Sequence, residues 1–406
     1  MKTYHSILGW QTFFSLCFLA FPILFFFGSC KQVSEKEEEP SPITTPFINA
    51  TSTFLSSNGT QNNSMDGQAF DIDKDGDMDM VLAMEFQSNI ILINDGTGKL
   101  IDESQQRFPA NRHDSEDIAI ADFDQDGDDD IVFVSEDDQT NEYYENIGNA
   151  HFESRPGKIP VSGASNAIEA TDLDGDGDMD LLIGNAGQNV ILINEKGKFS
   201  NETAKRLPNN TYTTQDLELG DVDNDGDLDL LEGNETFNRI LINDGNGIFT
   251  YDENRLPKVN DQTRDADFGD ADGDGDLDIF FSNVDFGGFG DPQNRLLLND
   301  GNGFFSEVTD DNIPASNFRT VDSDFVDMDG DGDLDLLCGN RFNGASMMVL
   351  INNGKAAFTD QTTSFLPPLN CYPFDFQTAD FNQDDQTDIY ICGFRGNDII
   401  LLGRKD

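Results

Sequence analysis

The sequence predicts an all-β fold, a seven-bladed β-propeller of four-stranded antiparallel blades whose last blade is completed by a strand from the N-terminal end. Three observations predict it. First, a nine-residue pattern, D-x-D-x-D-G-D-x-D, starts at Asp71, Asp122, Asp172, Asp221, Asp270, Asp327 and, in a degenerate copy, Asp380. The intervals are 51, 50, 49, 49, 57 and 53 residues, and a regular period that fills the chain marks a repeat architecture. Second, every copy is followed by an apolar run such as Leu336-Leu337-Cys338. Later in the repeat comes a turn of the type Asn243-Asp244-Gly245-Asn246-Gly247. Third, the seventh repeat stops after its third strand, Ile399–Gly403, while Phe47–Leu55 resembles the fourth-strand segments Phe199–Thr203 and Phe358–Thr362. The two ends therefore complement each other and remove an exposed sheet edge.

The chain opens with Lys2 and His5, then an apolar run from Ile7 to Phe27 that ends in Gly28-Ser29-Cys30. Residues 1–29 resemble a bacterial lipoprotein signal peptide, in which Cys30 takes the lipid and becomes the new N-terminus. Phe27 stands where an aliphatic residue is usual. The run is long enough to span a bilayer, but Gln11, Pro22 and the abrupt Gly-Ser-Cys ending favour cleavage and lipidation. Residues 30–46 form an acidic, Pro- and Thr-containing tether without apolar periodicity. Its Glu-rich start resembles the surface-export signal of Bacteroidota lipoproteins and reads equally well as a solvated linker. The expected location is the bacterial outer membrane or cell surface, anchored through the lipid on Cys30. The propeller is expected to occupy residues 47–406.

One repeat shows how four strands arise. Asp117–Ala121 alternates toward the loop Asp122–Asp130, and Ile131–Ser135 is a short β-branched strand. A polar loop leads to Glu142–Ile147, and the turn Gly148-Asn149-Ala150 leads to a strand starting at His151. Asn-Asp-Gly turns elsewhere tolerate positive φ and close hairpins.

The charge balance excludes some partners. With 24 basic and 78 acidic residues the formal charge is −54, so nucleic acid is not an expected partner. Disorder is not expected either, since 37% of residues are hydrophobic and 34 are Phe. The acids are concentrated in the loops, where carboxylates at such density repel one another without a counter-ion.

The loop chemistry points to Ca²⁺, which takes six to eight oxygens from carboxylates, carbonyls and water. The candidate metal residues are Asp71, Asp73, Asp75, Asp77 and Asp79 in the first loop and Asp122, Asp124, Asp126, Asp128 and Asp130 in the second. They are Asp172, Asp174, Asp176, Asp178 and Asp180 in the third, and Asp221, Asp223, Asp225, Asp227 and Asp229 in the fourth. The fifth has Asp270, Asp272, Asp274, Asp276 and Asp278, and the sixth Asp327, Asp329, Asp331, Asp333 and Asp335. Side chains at positions 1, 3, 5 and 9 and the backbone carbonyl at 7 are the expected ligands. An EF-hand would need Glu at position 12, where the first loop has Leu82. Mg²⁺ prefers to keep its waters, and zinc or iron would call for His or Cys. In the seventh loop, with Asp380, Asn382, Asp384, Gln386 and Asp388, Asp385 replaces the glycine and Asn382 removes a charge, so it is expected to be the weakest of about seven sites.

These loops, the strand after them and the Asn-Asp-Gly-x-Gly-x-Phe hairpin resemble FG-GAP or VCBS repeats, the calcium-binding blades of the integrin α-subunit head and of many bacterial surface proteins. The resemblance covers residues 47–406. It implies calcium in the loop between the first two strands of each blade, and a ligand on the opposite face. No integrin leg or companion-subunit sequence is present, so the integrin adhesion mechanism does not carry over.

The opposite face is expected to use the loops joining second and third strands. The longest, Asn283–Pro292, carries Phe286 and Phe289 among glycines, and Arg341-Phe342 lies in the next one. These four residues are ligand-binding candidates for a sugar or a peptide, although a loop Phe is also commonly tucked against its own blade. Asp66, Asp117, Asp216, Asp265, Asp322 and Asp375 precede their loops by five residues, with Ala167 breaking the series. They are expected to ring the channel mouth, where they could hold a cation or a basic ligand, the favoured reading being that each caps backbone N–H groups at its own inter-blade turn.

Three functions compete. The favoured one is a calcium-stabilised surface module that binds a protein or a polysaccharide without catalysis. A polysaccharide lyase would need a base and a cation, for which Arg112-His113 is the one candidate pair. A scaffold subunit of an outer-membrane complex is the third. The only Trp, Trp10, leaves with the signal, which weakens a sugar platform. Cys338 and Cys392 fall in apolar strands as core residues, and with Cys371 they leave an odd number for disulfides.

Overall fold

A computed structural model describes residues 45–55, 62–286, 292–315, 319–341 and 346–405. Cys30, Phe289 and Phe342 lie outside them. Period-two alternation and β-branched content turn each repeat into four antiparallel strands. In the first blade these are Asn62–Phe70, Asp79–Met84, Ile90–Asn94 and Leu100–Asp102. The same order recurs in blades that begin at Ser115, Ser165, Thr214, Gln262 and Thr320.

The seventh blade has Pro373–Ala379, Asp388–Gly396 and Ile399–Gly403 and takes its fourth strand from Phe47–Asn49. The register is antiparallel, with Phe47 opposite Gly403 and Asn49 opposite Leu401. Asn63 also pairs with Phe394, so the first and last blades are joined at the rim as well. Seven four-stranded blades close as the sequence predicts.

Apolar packing lies between blades. Val81, Ala83 and Ile91 of the first blade pack with Ile131, Phe133 and Tyr144 of the second. The second strands are buried along their length in the first six blades, and in the seventh from Asp388 to Phe394. Each sheet therefore depends on its neighbours for a core, as in other repeat folds. Cys338 and Cys392 are buried there, and all three thiols among the described residues are free.

A four-residue helical turn follows the fourth strand in five blades, a feature absent from the sequence prediction. Its first residue has a repeated task. Ser104, Thr203, Thr309, Thr362 and Thr51 each accept the backbone N–H of a third-strand residue in their blade, at 3.0–3.1 Å. Each hydroxyl thereby satisfies a donor that the short fourth strand leaves unpaired.

The first strands line a central cavity of about 500 Å³. The series of acids does ring it, but the expected partners are corrected. Five of the six carboxylates reach the next blade instead of their own turns, while Asp66 keeps one buried oxygen without a hydrogen-bond partner among the described residues. Asp117 accepts the N–H of Ile168 (2.7 Å), Asp216 that of Ala266 (3.0 Å), Asp322 that of Phe376 (2.8 Å) and Asp375 that of Gly67 (3.0 Å). Asp265 accepts the Ser323 hydroxyl at 2.7 Å. The ring is an inter-blade seam.

Candidate metal loops and the opposite rim

Each loop folds around its first aspartate. In the first loop Asp71 accepts the N–H groups of Asp75 and Gly76, both at 3.0 Å, and Asp75 accepts that of Asp77 at 3.1 Å. The sharp turn puts position 6 at positive φ, +98° at Gly76. Position 9 is buried and accepts from two sides. Asp278 takes the N–H of Asn299 (2.9 Å) from the third strand and that of Ala271 (3.0 Å) from its own loop.

The loops therefore bring carboxylates together. Asp71, Asp73 and Asp79 offer oxygens within 4.8 Å of one another, as do Asp172, Asp174 and Asp180, and Asp270, Asp272 and Asp278. In two further loops the groups are Asp122, Asp124 and Asp126, and Asp221, Asp223 and Asp225. The decisive observation is at position 3. One oxygen of Asp73, Asp124, Asp174 and Asp223 is buried without a hydrogen-bond partner, in four successive loops. Buried carboxylate oxygens do not stay unpaired without cost. An orphan at the same place in four loops fits a hard cation held by positions 1, 3, 5 and 9 with the carbonyl of position 7. When bound, the ion would supply the positive charge that the crowded carboxylates otherwise lack.

Burial pushes the position-9 carboxyls up to about 7 at Asp79, Asp130, Asp180, Asp229 and Asp278, with the acids at positions 3 and 5 adding to it at most of them. Position 3 rises too, and burial is again the first cause at Asp73, Asp124, Asp223, Asp272 and Asp329.

Position 7 behaves differently. Its side chain points away to neighbours: Asp276 accepts from Asn224 of the preceding loop at 2.9 Å, while Asp178 takes Gln125 and Asp77 takes Gln383. This agrees with a ligand role for the backbone alone at that position. It also makes loops of consecutive blades grip one another. The glycine of the hairpin gives position 7 its room, since a Cβ on Gly301 would lie 2.6 Å from an Asp276 oxygen.

Two sets of supporting residues escape sequence reading. The hairpin asparagine does more than turn the chain: Asn299 Nδ2 donates to the carbonyls of Val222 (2.9 Å) and Leu277 (3.1 Å), tying its blade to the preceding blade's loop. Asn94, Asn194 and Asn352 repeat the link. The only available signal is the fixed place of Asn in six hairpins. The second set is arginines. Arg206 pairs with Asp174 at 3.0 Å and with Glu202 at 2.8 Å, and donates to the Asn246 carbonyl of the next hairpin at 2.6 Å. Arg107 and Arg255 stand likewise beside Asp73 (3.6 Å) and Asp223 (3.5 Å).

The chain matches the FG-GAP-like repeat over residues 71–133, 122–183, 172–232, 221–281, 283–338 and 327–391. It belongs to the FG-GAP-like repeat family. Solved structures of low sequence identity share the fold. A lectin of Agrocybe aegerita, described as recognising non-reducing terminal N-acetylglucosamine, superposes with a TM-score of 0.51 at 17% identity, over 75% of this chain and 82% of that one. A chain of the crystal structure of BBS1N in complex with ARL6DN, soaked with lead, gives 0.56 at 10% identity, over 89% and 98%. None of the curated proteins matches the chain.

Arginine beside an FG-GAP loop opposes cation binding by charge while holding a carboxylate in place. Removing it therefore weakens the metal-free loop most. R206Q is expected to cost about 2 kcal/mol in chelator, as for a charged hydrogen bond, and clearly less in calcium. Melting curves of the variant under both conditions check this.

The seventh FG-GAP loop keeps the shape of the others. Asp380 accepts the N–H groups of Asp384 (3.0 Å) and Asp385 (2.8 Å), and Asp388 those of Phe381 and Gly403. Asp385 adopts φ +60° in place of the glycine, the strain that its sequence implies.

On the opposite rim, Phe286 is exposed and Arg341 stacks on Phe394, 4.1 Å from the ring centre, and on Phe374 at 5.0 Å. Arg341 and Phe286 thus share an arc of the rim. His113 Nδ1 lies 2.7 Å from Asp138 and its Nε2 3.5 Å from Glu142, so both ring nitrogens of the candidate base face carboxylates.

Proposed function

We propose that this FG-GAP propeller is a calcium-stabilised, non-catalytic binding module, held at the bacterial cell surface by a lipid on Cys30, that meets a protein or glycan on the rim opposite the acidic loops. The observation that carries it is the division of labour between the two faces. On one face the loops present orphaned carboxylate oxygens and hold each other blade to blade. On the other, arginines and phenylalanines gather at the channel mouth. Calcium is then a structural ion, and recognition belongs to the other rim. The described recognition of N-acetylglucosamine by one structural neighbour, and the protein complex formed by another, make both ligand classes reasonable for a fold of this shape.

A glycan array probed with the calcium-loaded protein tests the reading, alongside capture of partners from intact cells. Saturable binding that is lost in R341Q supports it. Turnover of a uronate polymer, or binding that survives every change on that rim, overturns it.

A further inference from the structure

Blade four breaks the pattern of the ring in two places. At one register of the fourth strand the other six blades carry a polar residue: Asp102, Ser154, Asn201, Glu307, Asp360 and Asn49. Asp102, Asn201, Asp360 and Asn49 accept there the N–H that opens the helical turn, at 3.0–3.1 Å. Blade four carries Tyr251 at that register, and no helical turn follows it. The second break lies between its middle strands. Glu232 stands opposite Arg239, both buried, where blades one, three and seven pair Leu82 with Ile90, Ile183 with Val190 and Ile391 with Ile399. A buried ion pair adds little stability over an apolar pair of similar volume. Departures of this kind in an otherwise regular fold belong to functional positions.

The two breaks meet in one pocket. Glu232 accepts Arg239 Nε at 2.6 Å and Nη2 at 3.0 Å, and Asn189 donates to the same carboxylate at 2.9 Å. The guanidinium so fixed lies 5.2 Å from the ring centre of Tyr251 and 5.9 Å from that of Tyr212. Phe237 meets Tyr212 edge-on at 6.3 Å. The three rings line a cavity of about 330 Å³. Phe237 and Tyr251 are exposed, at 39% and 44%. Phe237 lies in the loop between the second and third strands of blade four, and Tyr212 in the connector that enters its first strand. The pocket therefore opens on the rim opposite the metal loops. Its polar edge is Asp252, Glu253 and Lys258. Glu253 and Lys258 pair with each other at 2.5 Å. Asn254 donates twice to Asp252, at 3.0 and 2.8 Å, and these bonds hold its carboxyl below the ordinary range, so it stands as an ionised acceptor.

We propose that this pocket binds one residue of a neutral glycan, a pyranose with equatorial ring hydroxyls, its C–H face on Tyr251 and Phe237 and a hydroxyl on Asp252. The inference rests on the reading of this rim as the recognition face, and it names the ligand class and a place for it. The pocket selects against charge of either sign. An anion would meet Asp252 in a chain of formal charge −54. A cation drawn to the ring faces would meet Arg239, which is already stacked on two of them. Equatorial hydroxyls leave a pyranose with C–H faces that suit flat aromatic surfaces, and they put its polar groups at the edge. A few polar groups around an apolar hollow of this size are the usual form of a small-ligand site. The rings are held by Arg239 and by each other before a ligand arrives, so little order remains to be imposed on binding.

The test uses the full chain loaded with calcium and three probes: methyl β-D-glucopyranoside, the anionic methyl β-D-glucuronide and the cationic methyl β-D-glucosaminide. Ligand-observed NMR titration is expected to show saturable binding of the neutral glucoside, about fivefold tighter than either charged probe. Tyr251→Ser gives blade four the residue that blade two carries at this register. It and Phe237→Ala should each weaken the glucoside about tenfold, the worth of one aromatic contact, at the wild-type melting temperature. Should Tyr251→Ser melt early, Phe237→Ala decides, because its ring is exposed on a loop. No saturable binding of the glucoside, equal binding of a charged probe, or indifference to both substitutions overturns the proposal. Glucoside binding that survives both but is lost in R341Q, or a captured protein partner lost in R341Q when no glucoside binds, sinks this pocket alone and leaves the recognition face standing. Glucoside binding that survives all three substitutions counts against both.

Discussion

Stripping divalent ions with EDTA is expected to lower the melting temperature by about 25 °C. A site filled at about a hundred times its dissociation constant contributes about 2.7 kcal/mol, so seven together contribute roughly 19 kcal/mol. Unfolding entropy of about 2.1 cal/mol/K per residue over about 360 residues converts that to about 25 °C. The structure gives the reason that the loss is shared by the whole ring. Every core cluster lies between blades, and the loops of successive blades are tied through pairs such as Asn224 with Asp276. Loosening one loop therefore loosens its neighbours. Calorimetry in calcium, in EDTA and after calcium is restored checks the expectation. Magnesium should restore less, because it resists giving up its waters. In a stepwise refilling the seventh loop should fill last, since Asp385 holds φ +60° and Asn382 brings no charge. An unchanged melt in EDTA counts against calcium in the loops.

The fold was legible because its signal is periodic. Seven copies of one loop, with a turn at a fixed offset, leave little choice of architecture, and the resemblance of Phe47–Leu55 to later fourth strands located the closure. Partners were harder to read where they lie about one repeat away. Asp117 was recognisable as a channel acid, but its acceptor role concerns Ile168 in the next blade, which no local pattern reveals. Arg206 reaches Asp174, and it sits in a helical turn that the sequence signals only weakly. Asn299 read as a turn residue because its φ-tolerant neighbours explain it fully, and its side-chain links to Val222 and Leu277 appear only once blades are packed. The lining of the channel was hidden for the same reason. Glu116 and Arg264 are far apart in the chain and line one cavity.

That cavity sets the second large expectation, a melting temperature that falls as pH rises when the protein is held in EDTA. Burial raises the channel carboxyls above their ordinary range, to about 9 at Glu116, about 8 at Glu218, about 7 at Asp375 and about 6 at Asp117 and Asp265. Asp66, Asp216 and Asp322 move the same way, with burial first and neighbouring carboxylates second. A carboxyl raised in the folded state binds its proton more tightly there than in the unfolded chain. Its contribution to stability is therefore full below about pH 4, where unfolded carboxyls titrate, and is lost as pH climbs through the folded values, about 6 to 9. The loop acids at position 9, at about 7, add to the slope in EDTA. Calcium should remove the loop part of the dependence, because an ion displaces the proton, and leave the channel part. Melts across this range with and without calcium separate the two. Glu218→Gln should flatten the channel slope, since the amide keeps the volume and cannot ionise. Stability that rises with pH in EDTA would show that the channel carboxylates are ionised and compensated in the folded ring, and would remove the physical basis of the expectation.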